Sequence, residues 1–261
     1  MGLPMRVDDK FLRDLESKVL AYRNRDKDSA DRKTYDEVFD RTTLMTLYDL
    51  MTNEIIDNLD FPIATGKEGN VFRATTHDGG YLAVKIYRMS NATFNNIQKY
   101  IAGDERFRNL GKSRRRTIHT WAQKEYRNLE RMGAIGLAVP KARVCVKNII
   151  IMEFIGQDGT PAPHLKDMKL ENPQEVYDKL FGNLKRMYRE TQLVHADFSE
   201  YNVLMLDGEP IIIDVGQAVL NTHPMAMEFL KRDISNLARF FRKHGIKSDE
   251  NDMLKQIAGG P

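Results

Sequence analysis

The chain has 261 residues, of which 41% are hydrophobic and 30% are charged, and its formal net charge is +3. This composition is typical of a globular protein that is long enough to bury a core without disulfides or structural metals. The single cysteine, Cys145, excludes an internal disulfide framework and a multi-cysteine zinc site. No apolar run approaches 18 residues and the first residues contain no apolar signal segment, so we expect a cytoplasmic protein with no membrane partner.

The first 60 residues are predicted to form a helical extension. Apolar side chains recur at helical spacing over residues 11–22 and again over about 42–58, and a charged linker at 24–33 separates the two helices. The pattern changes at residue 61. Residues 61–77 alternate and are rich in β-branched and aromatic side chains, so they predict one strand that pairs with a second strand at 81–87 across Gly79-Gly80.

The remainder of the chain alternates between helical and β patterns. Residues 88–112 predict a long polar loop, 114–132 a helix, and the segments ARVCV and NIIIMEF a hairpin. A Gly/Pro-rich connector then leads to further predicted elements: a helix over 173–191, a hairpin that turns at Asp207-Gly208, and helices over 224–244 and 249–257. A β-rich middle followed by a mainly helical last third predicts an α+β fold with two lobes, at 61–155 and 156–261, and a cleft between them.

Two charged residues occupy positions where apolar side chains are expected. Glu125 lies in the middle of the apolar stripe of the helix at 114–132, and Lys85 shares a strand face with Ala83 and Tyr87. Each residue alone is compatible with a solvated position, Glu125 at the edge of the stripe and Lys85 by extending outwards. A buried carboxylate is costly unless it is paired, so the two together predict an ion pair between the strand and the helix.

Oxygen-bearing side chains gather in two further segments. The loop HADFSEYN places Asp197 five residues before Asn202, and both types of side chain can ligate a hard cation. Asp214 follows directly on the β-branched run 211–213, which is typical of a buried strand, so we expect its carboxylate at the mouth of the cleft. Local turn formation and capping are the alternative interpretations of these residues.

In this order, the pieces resemble the eukaryotic-type protein kinases. A glycine loop, AVK on a strand, a helix glutamate, H-x-D-x-x-x-x-N and D-x-G follow one another over residues 61–220. The resemblance implies that Lys85 contacts ATP phosphates and pairs with Glu125, and that Asp197 orients and deprotonates the acceptor hydroxyl. It also implies that Asn202 and Asp214 hold Mg²⁺, with Mn²⁺ as the alternative ion.

Departures from that pattern indicate a narrower family. The glycine loop is GKEGNV, Ala196 and Val215 stand where Arg and Phe are usual, and only 45 residues follow Gly216, with no A-P-E among them. The segments ATGKEGNVF, TWAQKEYRNL, LVHADFSEYNVL and IIIDVGQAV resemble the RIO family of atypical serine/threonine kinases, and within it the Rio-one branch. This resemblance implies a truncated C-terminal lobe without an activation segment or peptide-binding helices.

The family resemblance also implies a nucleotide site and a cellular role. The residues expected around ATP, besides those above, are Gly66, Lys67, Glu68, Val71, Met152, Glu153, Ile155 and Ile213. Asp214 is the residue that would carry an aspartyl phosphate in an ATPase cycle. The resemblance further implies a role in maturation of the small ribosomal subunit and autophosphorylation on serine, for which Ser90 and Ser113 are the candidates.

The only strong local charge bias lies within residues 99–127, which hold nine Lys or Arg and three acidic residues. Three of these arginines, at 114–116, begin a predicted helix, where positive charge opposes the helix dipole. An anionic partner would offset that cost. The family resemblance implies that this partner is ribosomal RNA in a pre-ribosomal particle, and we expect no contact with DNA. A solvated helix start is the alternative.

Three functions therefore stay open at this point. The first is an ATP-dependent serine/threonine kinase with ATPase activity. The second is an assembly factor whose nucleotide state sets its conformation, with negligible kinase activity. The third is a small-molecule phosphotransferase, since such enzymes share the H-x-D and D-x-G pattern.

Overall fold

The computed structural model describes residues 38–90, 97, 100–101 and 113–259. The predicted helix at 11–22, the linker at 24–33 and most of the predicted loop at 88–112 lie outside the described residues. Within the described part of the chain, no helix combines the length and the apolar character needed to cross a membrane.

The first described helix, α1, comprises Arg41–Thr52 and packs on the outer face of a sheet. Asp40 caps its start by accepting a hydrogen bond from the Thr43 N–H at 2.8 Å. The helix ends six residues before the predicted end at 58. The prediction was wrong there because Glu54 adopts a left-handed conformation with φ 57°, and because residues from Asn58 onwards join a strand.

The N-terminal half is built on a five-stranded antiparallel sheet with the order β1-β2-β3-β5-β4. Its strands are β1 (Asn58–Thr65), β2 (Gly69–Thr75), β3 (Tyr81–Tyr87), β4 (Ala142–Val146) and β5 (Ile149–Glu153). The single strand predicted over 61–77 is therefore two strands. They are separated because the Gly66 N–H donates to the Gly69 carbonyl at 2.9 Å and closes a tight turn. At Gly69 a Cβ would lie 2.4 Å from the Ile86 carbonyl oxygen, so this close strand approach requires glycine.

Strand β3 places alternate side chains on opposite faces of the sheet, as the two-residue period of a strand requires. Val84 and Ile86 belong to the apolar layer beneath α1. Ala83, Lys85 and Tyr87 are buried on the other face, against helix α2 (Arg114–Ala134). This face forms the upper wall of the cleft.

The C-terminal half is mainly helical and contributes the lower wall. It contains α3 (Pro173–Thr191), α4 (Ala226–Arg242) and α5 (Glu250–Ala258), together with the short strands β8 (Leu193–Val194), β9 (Val203–Leu206), β10 (Glu209–Ile212) and β11 (Val219–Leu220). The predicted connector after β5 forms a small hairpin of β6 (Gly156–Gln157) and β7 (Thr160–Pro161). The overall architecture is the predicted α+β one, with a β-rich half followed by a mainly helical half. The division into domains at residues 60 and 155 stays a prediction.

Candidate active site

A cavity of about 510 Å³ opens between the sheet and the C-terminal half. Its walls come from the turn between β1 and β2, from β3, from the end of β5, and from the segments around residues 202 and 214. All predicted nucleotide-binding residues line it, namely Gly66, Lys67, Glu68, Val71, Lys85, Glu125, Met152, Glu153, Ile155, Asn202, Ile213 and Asp214.

Lys85 and Glu125 form an ion pair on the inner face of the sheet. The Lys85 Nζ lies 2.8 Å from Glu125 Oε1, and Glu125 is 1% exposed. The Tyr87 hydroxyl donates to the second oxygen of the same carboxylate. Burial raises the pKa of Glu125 and the Lys85 ammonium opposes that rise. Burial alone would lower the pKa of Lys85, but Asp214 and Glu125 outweigh it and raise that pKa, so the lysine carries its charge.

Asp214 ends the strand run at the floor of the cavity. Its backbone is left-handed, with φ 56° and ψ 57°, and it precedes a short 3₁₀ turn, Val215–Gln217. Its half-exposed carboxylate accepts a hydrogen bond from Lys85 Nζ at 2.8 Å. Desolvation is the largest influence on Asp214 and raises its pKa, but the charge and the hydrogen bond of Lys85, together with His195, lower that pKa by more in sum, so the net shift is downward. Asp214 therefore presents an ionised oxygen to the cavity.

The loop between β8 and β9 holds the other predicted oxygen ligands. The Asn202 side-chain nitrogen donates to the Asp197 carbonyl at 2.8 Å and lies 3.4 Å from Asp197 Oδ2. The Ile213 N–H donates to the Asn202 carbonyl at 3.0 Å, which ties this loop to the segment that bears Asp214. Asp197 itself does not line the cavity but lies next to it through Asn202.

His195 is buried at the base of this loop and contacts the Ile213 carbonyl through Nε2 at 3.2 Å. Burial lowers the pKa of His195 to about 4. A neutral imidazole at neutral pH and a backbone acceptor on Nε2 indicate a structural residue that joins the loop to the strand end.

This histidine should contribute to acid sensitivity. The pKa of His195 is about 4 in the folded protein and near 6.5 in the unfolded chain. Its contribution to the free energy of unfolding is therefore complete above pH 6.5 and is lost as the pH falls towards 4, because the unfolded chain binds the proton first. We expect the stability advantage of wild type over His195→Gln, which keeps a side-chain donor, to shrink by up to about 3 kcal/mol across that range. Urea unfolding at several pH values measures this difference. A pH-independent difference would contradict it.

Asp233 was not predicted from the sequence as a residue of the site. It lies on α4 and is fully buried, and burial raises its pKa to about 7. Its carboxylate accepts hydrogen bonds from two backbone N–H groups, Ala196 at 2.8 Å and Phe198 at 2.9 Å. These two amides flank Asp197. The signal was available, because Asp233 lies among the apolar positions of an amphipathic helix in the same way as Glu125.

The end of β5 and the segment that follows form a further part of the cavity wall. The Glu153 N–H donates to the Lys141 carbonyl, and the Ile155 carbonyl accepts from the Ala162 N–H. Met152 is nearly buried behind them. These bonds fix the backbone of the wall without using the Ile155 N–H.

Only part of the predicted basic segment is described. Ser113 caps α2, and the three following arginines are exposed at its first turn. Arg115 lies 3.5 Å from Asp40, so the start of α2 contacts the start of α1. Residues 99 and 102–112 lie outside the described part of the chain.

Comparison with known proteins identifies the family. Residues 70–254 match the RIO domain. The chain is 39% identical to the RIO-type serine/threonine-protein kinase Rio1 of Haloferax volcanii over 251 residues, which cover 96% of this chain and 86% of that protein. It is 42% identical to the Methanocaldococcus jannaschii protein of the same name, over 88% of this chain and 78% of the relative. Against human Serine/threonine-protein kinase RIO1 the identity is 40%, over 84% of this chain but only 39% of the human protein.

A solved structure has the same fold. The Rio2 kinase of Chaetomium thermophilum, in a complex described as ADP/Mg²⁺-phosphoaspartate, matches with a TM-score of 0.64 at 22% identity and covers 83% of this chain and 66% of its own. At that identity the match supports the fold. Together with the domain match and the archaeal relatives, it means that the chain belongs to the RIO family of serine/threonine-protein kinases, as a relative of Rio1.

Proposed function

We propose that the cavity binds ATP with a magnesium ion and transfers the γ-phosphoryl group. The observation that carries this proposal is the convergence of a charged lysine, an ionised aspartate and an asparagine on one cavity, with Asp197 beside them. We assign the Ile155 N–H to adenine, the turn at Gly66–Gly69 and Lys85 to the phosphates, and Asp214 and Asn202 to the metal.

The residues fit a hard divalent cation. Asp214 offers an ionised carboxylate, and Asn202 uses its amide nitrogen for Asp197, so its amide oxygen is the atom suited to a cation. When bound, Mg²⁺ would neutralise the charge of the transferring phosphoryl group. Lys85 would exchange its contact with Asp214 for the phosphates and keep its contact with Glu125. Asp197 would accept the proton of an attacking hydroxyl.

Two acceptors are compatible with this site. With a serine or threonine hydroxyl, oxygen attacks the γ-phosphorus, the bond from phosphorus to the β,γ-bridging oxygen breaks, ADP leaves, and the hydroxyl proton goes to Asp197. With Asp214 as acceptor, a carboxylate oxygen attacks the same phosphorus, ADP leaves, and water then attacks the acyl phosphate and releases inorganic phosphate. The phosphoaspartate in the Rio2 kinase complex supports including the second route.

We further propose that the substrate-bearing partner is a pre-small-ribosomal particle and that arginines 114–116 contact its RNA phosphates. The support is their exposure at the start of α2 and the excess of positive charge over residues 99–127. Replacing Arg114 and Arg116 by Ala should weaken particle binding and reduce its salt dependence, while ATP turnover without particles stays unchanged. Turnover that fell equally would contradict a separate RNA-contacting role.

The proposal is tested with γ-labelled ATP and Mg²⁺, in the presence and absence of purified pre-ribosomal small subunits. Transfer through Asp214 predicts protein-bound label that hydroxylamine removes, together with free phosphate that rises when subunits are added. Stable label on serine with little free phosphate means a protein kinase, and label on an alcohol-bearing metabolite means a small-molecule phosphotransferase. No turnover in either condition would overturn the enzyme proposal and leave the nucleotide-switched binding factor.

Asp233 should act as a positioning residue for Asp197. Each carboxylate oxygen accepts one backbone N–H, so Asp233→Asn turns one acceptor into a donor that faces a donor. We expect a loss of about 1–3 kcal/mol in the free energy of unfolding. We also expect kcat to fall up to about 100-fold, since a displaced reactive group costs that much, with KM for ATP nearly unchanged. Steady-state kinetics and urea unfolding check both. An unchanged kcat in a folded variant would make Asp233 purely structural.

A further inference from the structure

Helix α2 contacts the active site through more than Glu125. Lys124 Nζ donates to the Gly216 carbonyl at 2.8 Å, and Asn128 Nδ2 donates to the Val215 carbonyl at 2.8 Å and lies 3.4 Å from the Ala218 carbonyl. Two side chains one helical turn apart therefore hold the backbone of the 3₁₀ turn that directly follows Asp214.

Both side chains are polar groups in a place where apolar ones would pack. Lys124 is 3% exposed and Asn128 is 1% exposed. The Lys124 ammonium also lies 4.2 Å from the centre of the Trp121 ring. Lysine is almost never buried to this extent, because removing its charge from water is costly. Packing alone does not explain a lysine here, since its charged end is directed at one backbone carbonyl.

The 3₁₀ turn 215–217 determines the orientation of the Asp214 carboxylate. Asp214 has a left-handed backbone, which is strained for a residue with a side chain, so surrounding contacts must maintain it. The turn is also in close contact with the ion-pair layer, since a Cβ on Gly216 would lie 2.9 Å from the Tyr87 hydroxyl and 3.4 Å from Glu125 Oε2. Helix α2 thus sets both the partner of Lys85 and the backbone of Asp214.

We infer that Lys124 and Asn128 are positioning residues for the metal bound by Asp214, which they orient through the carbonyls of the turn 215–218. The inference rests on the proposed function of the cavity. Lys85 is a side-chain partner of Asp214 in the structure, and under the proposed function that contact is given up when Lys85 binds the phosphates. From that point the orientation of the carboxylate depends on its backbone, and so on α2. Adenine, which we assign to the Ile155 N–H, contacts neither Asp214 nor the turn after it, so we expect its binding not to depend on α2.

The experiment compares binding of adenosine with binding of ADP at increasing Mg²⁺ concentrations. The variants Lys124→Met and Asn128→Leu remove the donors at nearly constant volume, Lys124→Gln keeps a donor with shorter reach, and Arg131→Met is a matched control on the exposed face of α2. In Lys124→Met and Asn128→Leu we expect the Mg²⁺ concentration that gives half-maximal ADP binding to rise about tenfold, because each variant loses a hydrogen bond from a buried donor. Lys124→Gln should fall between them and wild type, and adenosine affinity should stay within twofold.

Three outcomes would overturn the inference. An unchanged Mg²⁺ requirement in folded variants would make the two residues structural only. Equal losses of adenosine and Mg²⁺-dependent ADP binding would mean general disruption of the cavity. If ADP binding by the wild-type protein does not depend on the Mg²⁺ concentration, the proposed function itself is wrong, and the inference fails with it. If Lys124→Met does not fold, Lys124→Gln and Asn128→Leu still distinguish these results.

Discussion

Replacing Asp197 by Asn is expected to lower the rate of phosphoryl transfer by about 10²–10⁴, the contribution typical of a positioned general base. The amide of Asn at position 197 cannot accept the hydroxyl proton. The backbone carbonyl of residue 197, which accepts the hydrogen bond from Asn202, is unchanged by the substitution. Since Asp197 also does not line the cavity, the affinity for Mg²⁺-ATP should change little. Single-turnover rates with labelled ATP on a serine acceptor, beside nucleotide-binding titrations, separate the two effects.

The matched control for this change is Asp207→Asn. Asp207 lies in the turn between β9 and β10 with φ 51°, a conformation that Asn tolerates well. This control should have wild-type rates. If Asp197→Asn keeps transfer to a hydroxyl within threefold of wild type, Asp197 is not the base. If it blocks hydroxyl transfer but spares labelling of Asp214, the two acceptor routes use different residues.

Replacing Lys85 by Met is expected to affect both stability and turnover. It leaves the Glu125 carboxylate, 1% exposed, without its cation, and breaking a buried ion pair from one side typically costs about 3–5 kcal/mol. The folded pKa of Glu125 then rises further above the unfolded value of 4.5. Because the unfolded chain ionises first, stability is lost as the pH rises above about 4.5. We therefore expect the destabilisation to grow with pH and nucleotide turnover to vanish.

The double variant Lys85→Met/Glu125→Gln makes this interpretation specific. It removes both charges, so most of the lost stability and its pH dependence should return, whereas turnover should stay absent because the phosphate contact is missing. Urea unfolding between pH 4.5 and 8 measures the stability of the three proteins. A single variant as stable as wild type at pH 8, or a double variant no more stable than the single one, would contradict a buried charge pair.

Sequence patterns predicted correctly those elements whose bounds depend on interactions between residues close in the chain. Helix α3 has its predicted bounds because Asn172 caps it, Pro173 begins it, and Gln192 ends it in a left-handed conformation. The ion pair between Lys85 and Glu125 was predictable from the two-residue period of β3 and the apolar stripe of α2. Each pattern places one charged side chain on a face that is otherwise apolar and buried, where a charge is costly unless it is paired. Every predicted nucleotide-contacting residue lies on the same cavity, although the contacts themselves stay predictions.

Other parts depend on contacts between distant segments, which a single sequence does not reveal. Helix α1 ends at Thr52 because the following residues turn and join β1, although the apolar spacing continues. The requirement for glycine at position 69 comes from the close approach of β2 to Ile86 on β3, which the pattern of residues 61–77 does not show. The helix pattern marks Asp233 as a buried acid, but the partners of Asp233 and Lys124 are backbone groups 37 and 92 residues away, and side-chain patterns do not identify such partners.

A crystal structure of the protein with ADP and Mg²⁺ is the most direct test of the proposed site. We expect a metal ion bound to the Asp214 carboxylate and the Asn202 amide oxygen, with adenine on the Ile155 N–H. Lys85 Nζ would have moved from Asp214 to a phosphate and kept its contact with Glu125. A nucleotide outside this cavity, or a metal ion that contacts neither Asp214 nor Asn202, would contradict it.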